Sequence, residues 1–243
     1  MILFLTSSPF LGFLMPFNDE NEFILRLRRD TTGGRCALFV TSDPEDVPFT
    51  EKFAQAVQNS LFRAGIDFPR YRILDGRNKE KTEELVEEAD FIILAGGHVP
   101  TQNAFFQEIG LKECMKKYRG VVMGISAGTM NCARLVYAQP ELAGEAVDPA
   151  YRKFLIGLGL TDINICPHYQ MLKDSILDGM RLFDDITYAD SRGRRFLALP
   201  DGSYVLIRDG KAEVWGEAWQ IADGKLTAFC GRDESRSVRS SIY

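Results

Sequence analysis

Along the first half of the chain, short unbroken apolar runs alternate with longer segments whose apolar residues recur every three or four positions. Ile2–Thr6, Cys36–Thr41, Phe91–Leu94 and Val121–Ile125 are of the first kind, and Tyr71–Leu74, interrupted by Arg72, also reads as a strand. A run that is apolar at nearly every position has no face to give to water, so these segments predict strands covered on both sides. Glu20–Arg29, Phe49–Ala64, Lys79–Ala89, Thr101–Lys116 and Thr129–Leu135 carry the longer period and predict helices. The β-α-β-α alternation predicts a parallel sheet with helices on both faces and right-handed crossovers. In such sheets ligands gather beyond the carboxyl ends of the strands.

Past Gln139 the pattern is less regular. Pro140, Gly144 and Pro149 mark an inserted loop or short helix across 139–160, beside the expected site. Ile163–Cys166 reads as a further strand and Asp174–Leu182 as a helix. Beyond Arg195 the period shortens. Phe196–Leu199, Ser203–Arg208, Ala212–Trp215 and Trp219–Ala222 are strand-length runs separated by Asp201-Gly202, Asp209-Gly210 and Asp223-Gly224. Asp-Gly between apolar runs is a hairpin signal, because both residues accept the positive φ that a tight turn demands. The hairpins over 196–230 therefore predict an antiparallel extension of the sheet. The polar last ten residues are expected to fray. With no internal repeat or low-complexity stretch, the expectation is one α/β domain over 1–243, a three-layer sandwich with a mostly parallel sheet.

Composition narrows the partners. The chain is 45% hydrophobic and 26% charged, and its formal net charge is −5. No basic surface is advertised, which argues against nucleic acid. Five cysteines stand dispersed, with no C-x-x-C pair, as expected of reduced and mostly buried thiols. The apolar stretch from Met1 to Met15 has no leading Lys or Arg and is too short to cross a bilayer, so a cytoplasmic protein without membrane attachment is expected. Two isolated histidines and scattered cysteines lack zinc spacing, and no Walker loop or G-x-G-x-x-G is present. Neither a metal nor a cofactor is expected.

The sharpest chemical signal is Gly124-Ile125-Ser126-Ala127-Gly128, set between an apolar strand and a helix. A G-x-S-x-G elbow lifts the serine hydroxyl above the sheet and needs small neighbours where the backbone is crowded. It also aims the Ala127 amide at a developing oxyanion. The competing reading is a plain glycine-rich turn with Ser126 as helix cap. A serine nucleophile needs a base, and only His98 and His168 are available. His168, in Cys166-Pro167-His168-Tyr169, follows a predicted strand and is the candidate. His98 follows Gly96-Gly97, where it could line the pocket or contact substrate. The glycines could let an amide approach the oxyanion, or could simply punctuate a loop. The acid that orients the imidazole is expected to be Asp201 in Leu199-Pro200-Asp201-Gly202, although Pro-Asp-Gly is also a turn sequence and Asp185, Asp190 and Glu217 are rivals. No histidine follows position 168, which disfavours the α/β-hydrolase order of acid before a late histidine.

Taken in order, Leu94-Ala95-Gly96-Gly97, the Ser126 elbow, Pro167-His168-Tyr169 and Leu199-Pro200-Asp201-Gly202 resemble the dipeptidase E (aspartyl dipeptidase) and cyanophycinase family of serine peptidases. That family has the class I glutamine amidotransferase-like, flavodoxin-like fold. The resemblance covers roughly residues 35 to 222. It implies a triad of Ser126, His168 and Asp201, with Gly97 and Ala127 as oxyanion-hole amides and Gly96 and His98 near the substrate. Two positions depart from the pattern: Asp201 stands where aspartyl dipeptidase has Glu, and His98 where Asn is usual. The N-terminus and the 139–153 stretch also match poorly.

The implied activity is hydrolysis of small peptides beside an aspartyl residue, with the peptide as partner and a homodimer left open. A cation would read the acidic side chain, and Arg134, Arg152, Lys153, Arg192 and Arg194 are candidates. The altered acid and the altered residue after the glycine pair keep a non-hydrolytic ligand-binding or regulatory module open, and an esterase or acyl transferase could use the same triad. A Cys-dependent amidotransferase is disfavoured because the elbow carries Ser.

Overall fold

The structure, a computed structural model, describes residues 1–12 and 16–238. Five parallel strands come first: β1 (Ile2–Thr6), β2 (Cys36–Val40), β3 (Arg70–Leu74), β4 (Phe91–Leu94) and β5 (Val121–Ile125). The helices between them are α1 (Phe23–Thr31), α2 (Val47–Arg63), α3 (Thr82–Glu88), α4 (Val99–Glu108) and α5 (Leu111–Lys117). In β1, Leu3 and Leu5 pack into one core with Leu85, Phe105 and Met115 of α3, α4 and α5. Phe4 packs into the other with Leu27, Phe53 and Val57 of α1 and α2. The two-residue side-chain period of a strand explains both the unbroken apolar runs and the three layers.

Local signals set the helix ends. The Asp46 carboxylate accepts a 3.0 Å hydrogen bond from the Phe49 amide at the start of α2. Gly110, at φ 62°, divides the expected Thr101–Lys116 helix into α4 and α5. After β5, α6 (Ala127–Asn131) is shorter than the expected Thr129–Leu135 helix. The chain leaves it to form β6 (Leu135–Tyr137), which pairs antiparallel with β7 (Phe154–Ile156), a strand inside the expected 139–160 loop.

The second half adds β8 (Asn164–Cys166) and the short helix α7 (Tyr169–Leu172). The helix expected over Asp174–Leu182 is absent. Ile176–Leu177 (β9) and Met180–Arg181 (β10) form a small hairpin instead, followed by a π-helix over Leu182–Thr187 and the short α8 (Tyr188–Asp190). Asp178 and Gly179, at φ 52° and 82°, turn that hairpin, so an Asp-Gly step overrides the helical spacing.

The antiparallel C-terminal strands are present but serve two sheets. β11 (Arg195–Ala198), β12 (Tyr204–Arg208), β13 (Lys211–Trp215), β14 (Ala218–Ala222), β15 (Lys225–Cys230) and β16 (Ser235–Val238) complete the set. The eight-stranded sheet runs β16-β13-β12-β1-β5-β4-β2-β3, and a four-stranded sheet runs β15-β14-β11-β8. Asp209-Gly210 and Asp223-Gly224 turn true hairpins, β12 to β13 and β14 to β15, with positive φ at both residues. Asp201-Gly202 does not, because it carries the chain from one sheet to the other. There only Gly202 has positive φ (88°), and the Ser203 amide reaches the Pro200 carbonyl at 3.2 Å, as in a type II turn. Of the tail expected to fray, Ser235–Val238 form a strand and 239–243 lie outside the described residues, as do 13–15 of the apolar N-terminal stretch. All five cysteines are free, and four are buried. Among the described residues no helix is long and apolar enough to cross a membrane.

Candidate active site

Ser126 leaves β5 with φ 48° and ψ −108°, a conformation rare outside glycine that needs support from its surroundings. Its amide donates to the Ser7 carbonyl at 3.0 Å, and its carbonyl accepts the Met130 amide of α6, also at 3.0 Å. The flanking glycines are demanded by packing. A Cβ on Gly128 would lie 2.2 Å from the Leu94 carbonyl oxygen, and one on Gly124 would lie 2.7 Å from the Thr129 backbone. Gly97 is equally confined, since a Cβ there would meet the Ser42 hydroxyl at 2.3 Å. A Cβ on Gly96 would sit 3.5 Å from that of Ser126, which places Gly96 beside the candidate nucleophile.

The candidate base and acid come from the second sheet. β8 and β11 are parallel neighbours with Cys166 opposite Ala198, so the residues that follow them emerge side by side. His168 takes a left-handed conformation (φ 56°, ψ 30°). Its Nε2 lies 2.9 Å from Ser126 Oγ, and its Nδ1 lies 2.7 Å from Asp201 Oδ1. An ionised carboxylate can only accept, so Nδ1 carries the proton and Nε2 presents its lone pair to the serine. Burial works against the Asp201 charge, yet hydrogen bonds from His168, Ser7 and Gln170 outweigh it and hold the carboxyl below the usual aspartate range. The rivals are committed elsewhere, Asp190 to Lys153 at 2.8 Å and Asp185 to Arg181 at 2.7 Å, and Glu217 is not a partner of His168.

His98 stands at the start of α4 with both ring nitrogens engaged, Nδ1 with Thr101 at 2.7 Å and Nε2 with Glu145 at 2.8 Å. It anchors the inserted loop to the glycine turn. Glu145 also accepts the Glu141 and Leu142 amides, and Asp178 accepts those of Gly144 and Ala146. Burial alone would raise the Glu145 carboxyl, but those amides and His98 bring it below its ordinary value. At the far side, Gln139 donates to Thr187 in the π-helix. The loop beside the site is thus tied down at several points.

Of the cations considered for an acidic substrate, Arg134 pairs with Asp162, Lys153 with Asp190, and Arg194 lies over the Phe154 ring. Arg152 and Arg192 are exposed. Among the described residues, no group of three or more His, Cys, Asp or Glu side chains could hold a metal ion.

Sequence reasoning missed Ser7 and Gln170. Ser7 donates to Asp201 Oδ1 at 2.8 Å and accepts the His168 amide at 2.7 Å. Gln170 donates to Asp201 Oδ2 at 2.8 Å and accepts the Asp201 amide at 3.1 Å. The only available signal was the polar end of an apolar run at Thr6-Ser7-Ser8, which a plain strand-to-loop exit explains equally well.

Comparison with known proteins gives the family and the fold. The model of the family described as "Peptidase family S51" matches residues 29–215. A peptidase from an acI-B1 Actinobacterium superposes with a TM-score of 0.70 at 19% identity, covering 98% of this chain and 96% of its own. A protein from Listeria monocytogenes EGD-e, provisionally described as a peptidase E, gives 0.60 at 17% identity and covers 88% and 96%. At these identities the likeness speaks for the fold. No curated protein matches the chain.

Proposed function

The chain belongs to peptidase family S51, serine hydrolases of peptide bonds, and from that premise we propose that Ser126, His168 and Asp201 are its catalytic triad and that it cleaves short peptides next to an aspartyl residue. One observation carries the triad: Ser126 Oγ, His168 and Asp201 stand in hydrogen-bond series at 2.9 and 2.7 Å, although 42 and 33 residues separate them.

Ser126 Oγ attacks the scissile carbonyl as His168 Nε2 takes its proton. The oxygen gains charge as the tetrahedral intermediate forms, and the Gly97 and Ala127 amides are assigned to receive it. The first amide of a helix has no intrahelical acceptor, so Ala127 has a donor to offer. His168 then protonates the leaving amine, the peptide bond breaks, and water repeats the sequence on the acyl-enzyme. Asp201 remains ionised throughout and holds the imidazole in the tautomer that accepts the serine proton. The non-hydrolytic alternative rests on two departures, an acid one methylene shorter than the family's and His98 after the glycine pair; the 2.7 Å contact between Asp201 and His168 supports the hydrolytic reading.

The aspartyl preference comes from the family resemblance. A panel of aspartyl and non-aspartyl dipeptides, run against wild type and Ser126→Ala, tests both halves. Aspartyl substrates should be preferred and the variant inactive. Equal turnover of all dipeptides would remove the preference, and an active variant would remove the triad. Simple esters in the same panel separate a peptidase from an esterase.

A further inference from the structure

Ser7 is bonded to all three members of the triad. Its carbonyl holds the Ser126 amide at 3.0 Å. Its hydroxyl accepts the His168 amide at 2.7 Å and donates to Asp201 Oδ1 at 2.8 Å. The side chain is fully buried, at 0% exposure. It sits just past β1, the strand hydrogen-bonded on one side to β5, which carries Ser126, and on the other to β12, which follows Asp201. Ser7 therefore stands at the seam between the two sheets. Gln170 closes the outer side with a two-point contact, donating to Asp201 Oδ2 and accepting the Asp201 amide.

We infer that Ser7 and Gln170 are positioning residues that clasp Asp201 so that a short carboxylate can orient His168. The clasp rests on the peptidase reading of the site, but its geometry can be measured without turnover. An aspartate carboxylate with one bonded oxygen is free to rotate about its terminal bond. With Oδ1 receiving His168 and Ser7, and Oδ2 receiving Gln170, rotation breaks three bonds at once. A second bond at the same hydroxyl, donated by the His168 amide, holds the left-handed backbone at His168, which is uncommon outside glycine. The imidazole is thereby fixed from its backbone and from its Nδ1 side together. Outer groups that orient a first ligand or base commonly change its performance by about 10–100-fold without touching the reacting atoms.

The test compares Ser7→Ala, Ser7→Cys and Gln170→Glu with wild type. One readout is steady-state kinetics. The other is the proton NMR signal of His168 Nδ1–H, recorded also in Ser126→Ala, where no turnover intrudes. Ser7→Ala should lower kcat about 10–100-fold with KM nearly unchanged. It should also shift or broaden the imidazole signal away from its downfield position. Ser7→Cys keeps the size but donates weakly, so it should fall between serine and alanine in both readouts. Gln170→Glu places a second carboxylate against Asp201 on an exposed side chain, and should displace the same signal. If Ser7→Ala fails to fold, the Gln170→Glu signal decides. An unmoved signal in the folded variants would overturn the clasp, as would a Ser7→Ala enzyme that merely melts earlier while each folded molecule turns over at the wild-type rate. Hydrolysis by Ser126→Ala would overturn the peptidase site instead, and leave the NMR result standing as evidence on the clasp.

Discussion

The two sheets contribute to the site in opposite ways. The eight-stranded sheet supplies the proposed nucleophile from one continuous strand-turn-helix, with Ser126, the Ala127 amide proposed for the oxyanion and the crowding glycines inside five residues. The four-stranded sheet supplies the proposed base and acid from two strands that are adjacent only in space, β8 and β11. The first arrangement is local and costs little chain entropy to assemble. The second is long-range and exists only once β11 has docked beside β8. The proposed nucleophile and the proposed general base should therefore be open to damage separately, by changes in different cores.

The largest effect should come from the chemistry itself. Ser126→Ala and His168→Ala should each lower kcat/KM at least about 10³-fold while circular dichroism and melting stay near wild type. A fluorophosphonate label should attach at Ser126 and be lost in both variants. Next comes the second sheet alone. Phe196 in β11 is fully buried and stacks on Tyr137 at 4.4 Å between centroids. Phe196→Ala should cost about 3–5 kcal/mol in denaturant unfolding. Activity should fall with it as β11 loosens; a fully active, fully stable variant would break the proposed division between the sheets.

A smaller change is expected from the elbow. Gly128→Ala should cost about 1–3 kcal/mol, because its Cβ would collide with the Leu94 carbonyl at 2.2 Å and β4 is too well packed to retreat. The smallest effect is in acid. The Asp201 carboxyl lies below its ordinary value in the folded chain, so the unfolded chain takes up its proton first. Its contribution is complete above the ordinary aspartate range of about 3.9 and is lost as pH falls through the folded value. Melting temperature should therefore drop more steeply below about pH 4 in wild type than in Asp201→Asn. Parallel curves would remove the argument that the bonds to Asp201 favour its ionised form.

How far the sequence could be read follows the same division. Four of the five parallel strands were legible because burial on both faces leaves an unbroken apolar run, whereas the edge strand β3 alternates exposed arginines with half-buried apolar residues; the elbow was legible because its crowding admits only glycine at 124 and 128. The helix expected over 174–182 failed where Asp178-Gly179 turned a hairpin inside helical spacing. The Asp201-Gly202 step misled in the opposite direction, since a turn between sheets and a turn within one have the same residues. Asp201 proved to be both a turn residue and the partner of His168, two readings that the sequence had set against each other.

By itself, then, the order of residues determined the class of fold, the elbow and the short list of groups able to serve it, because each depends on neighbours along the chain or on burial that leaves a periodic trace. Which carboxylate meets His168, and that Ser7 is hydrogen-bonded to both, was decided only when the two sheets came together. Contacts between segments so far apart in sequence leave no period behind them; they are products of strand order, and strand order is settled by packing.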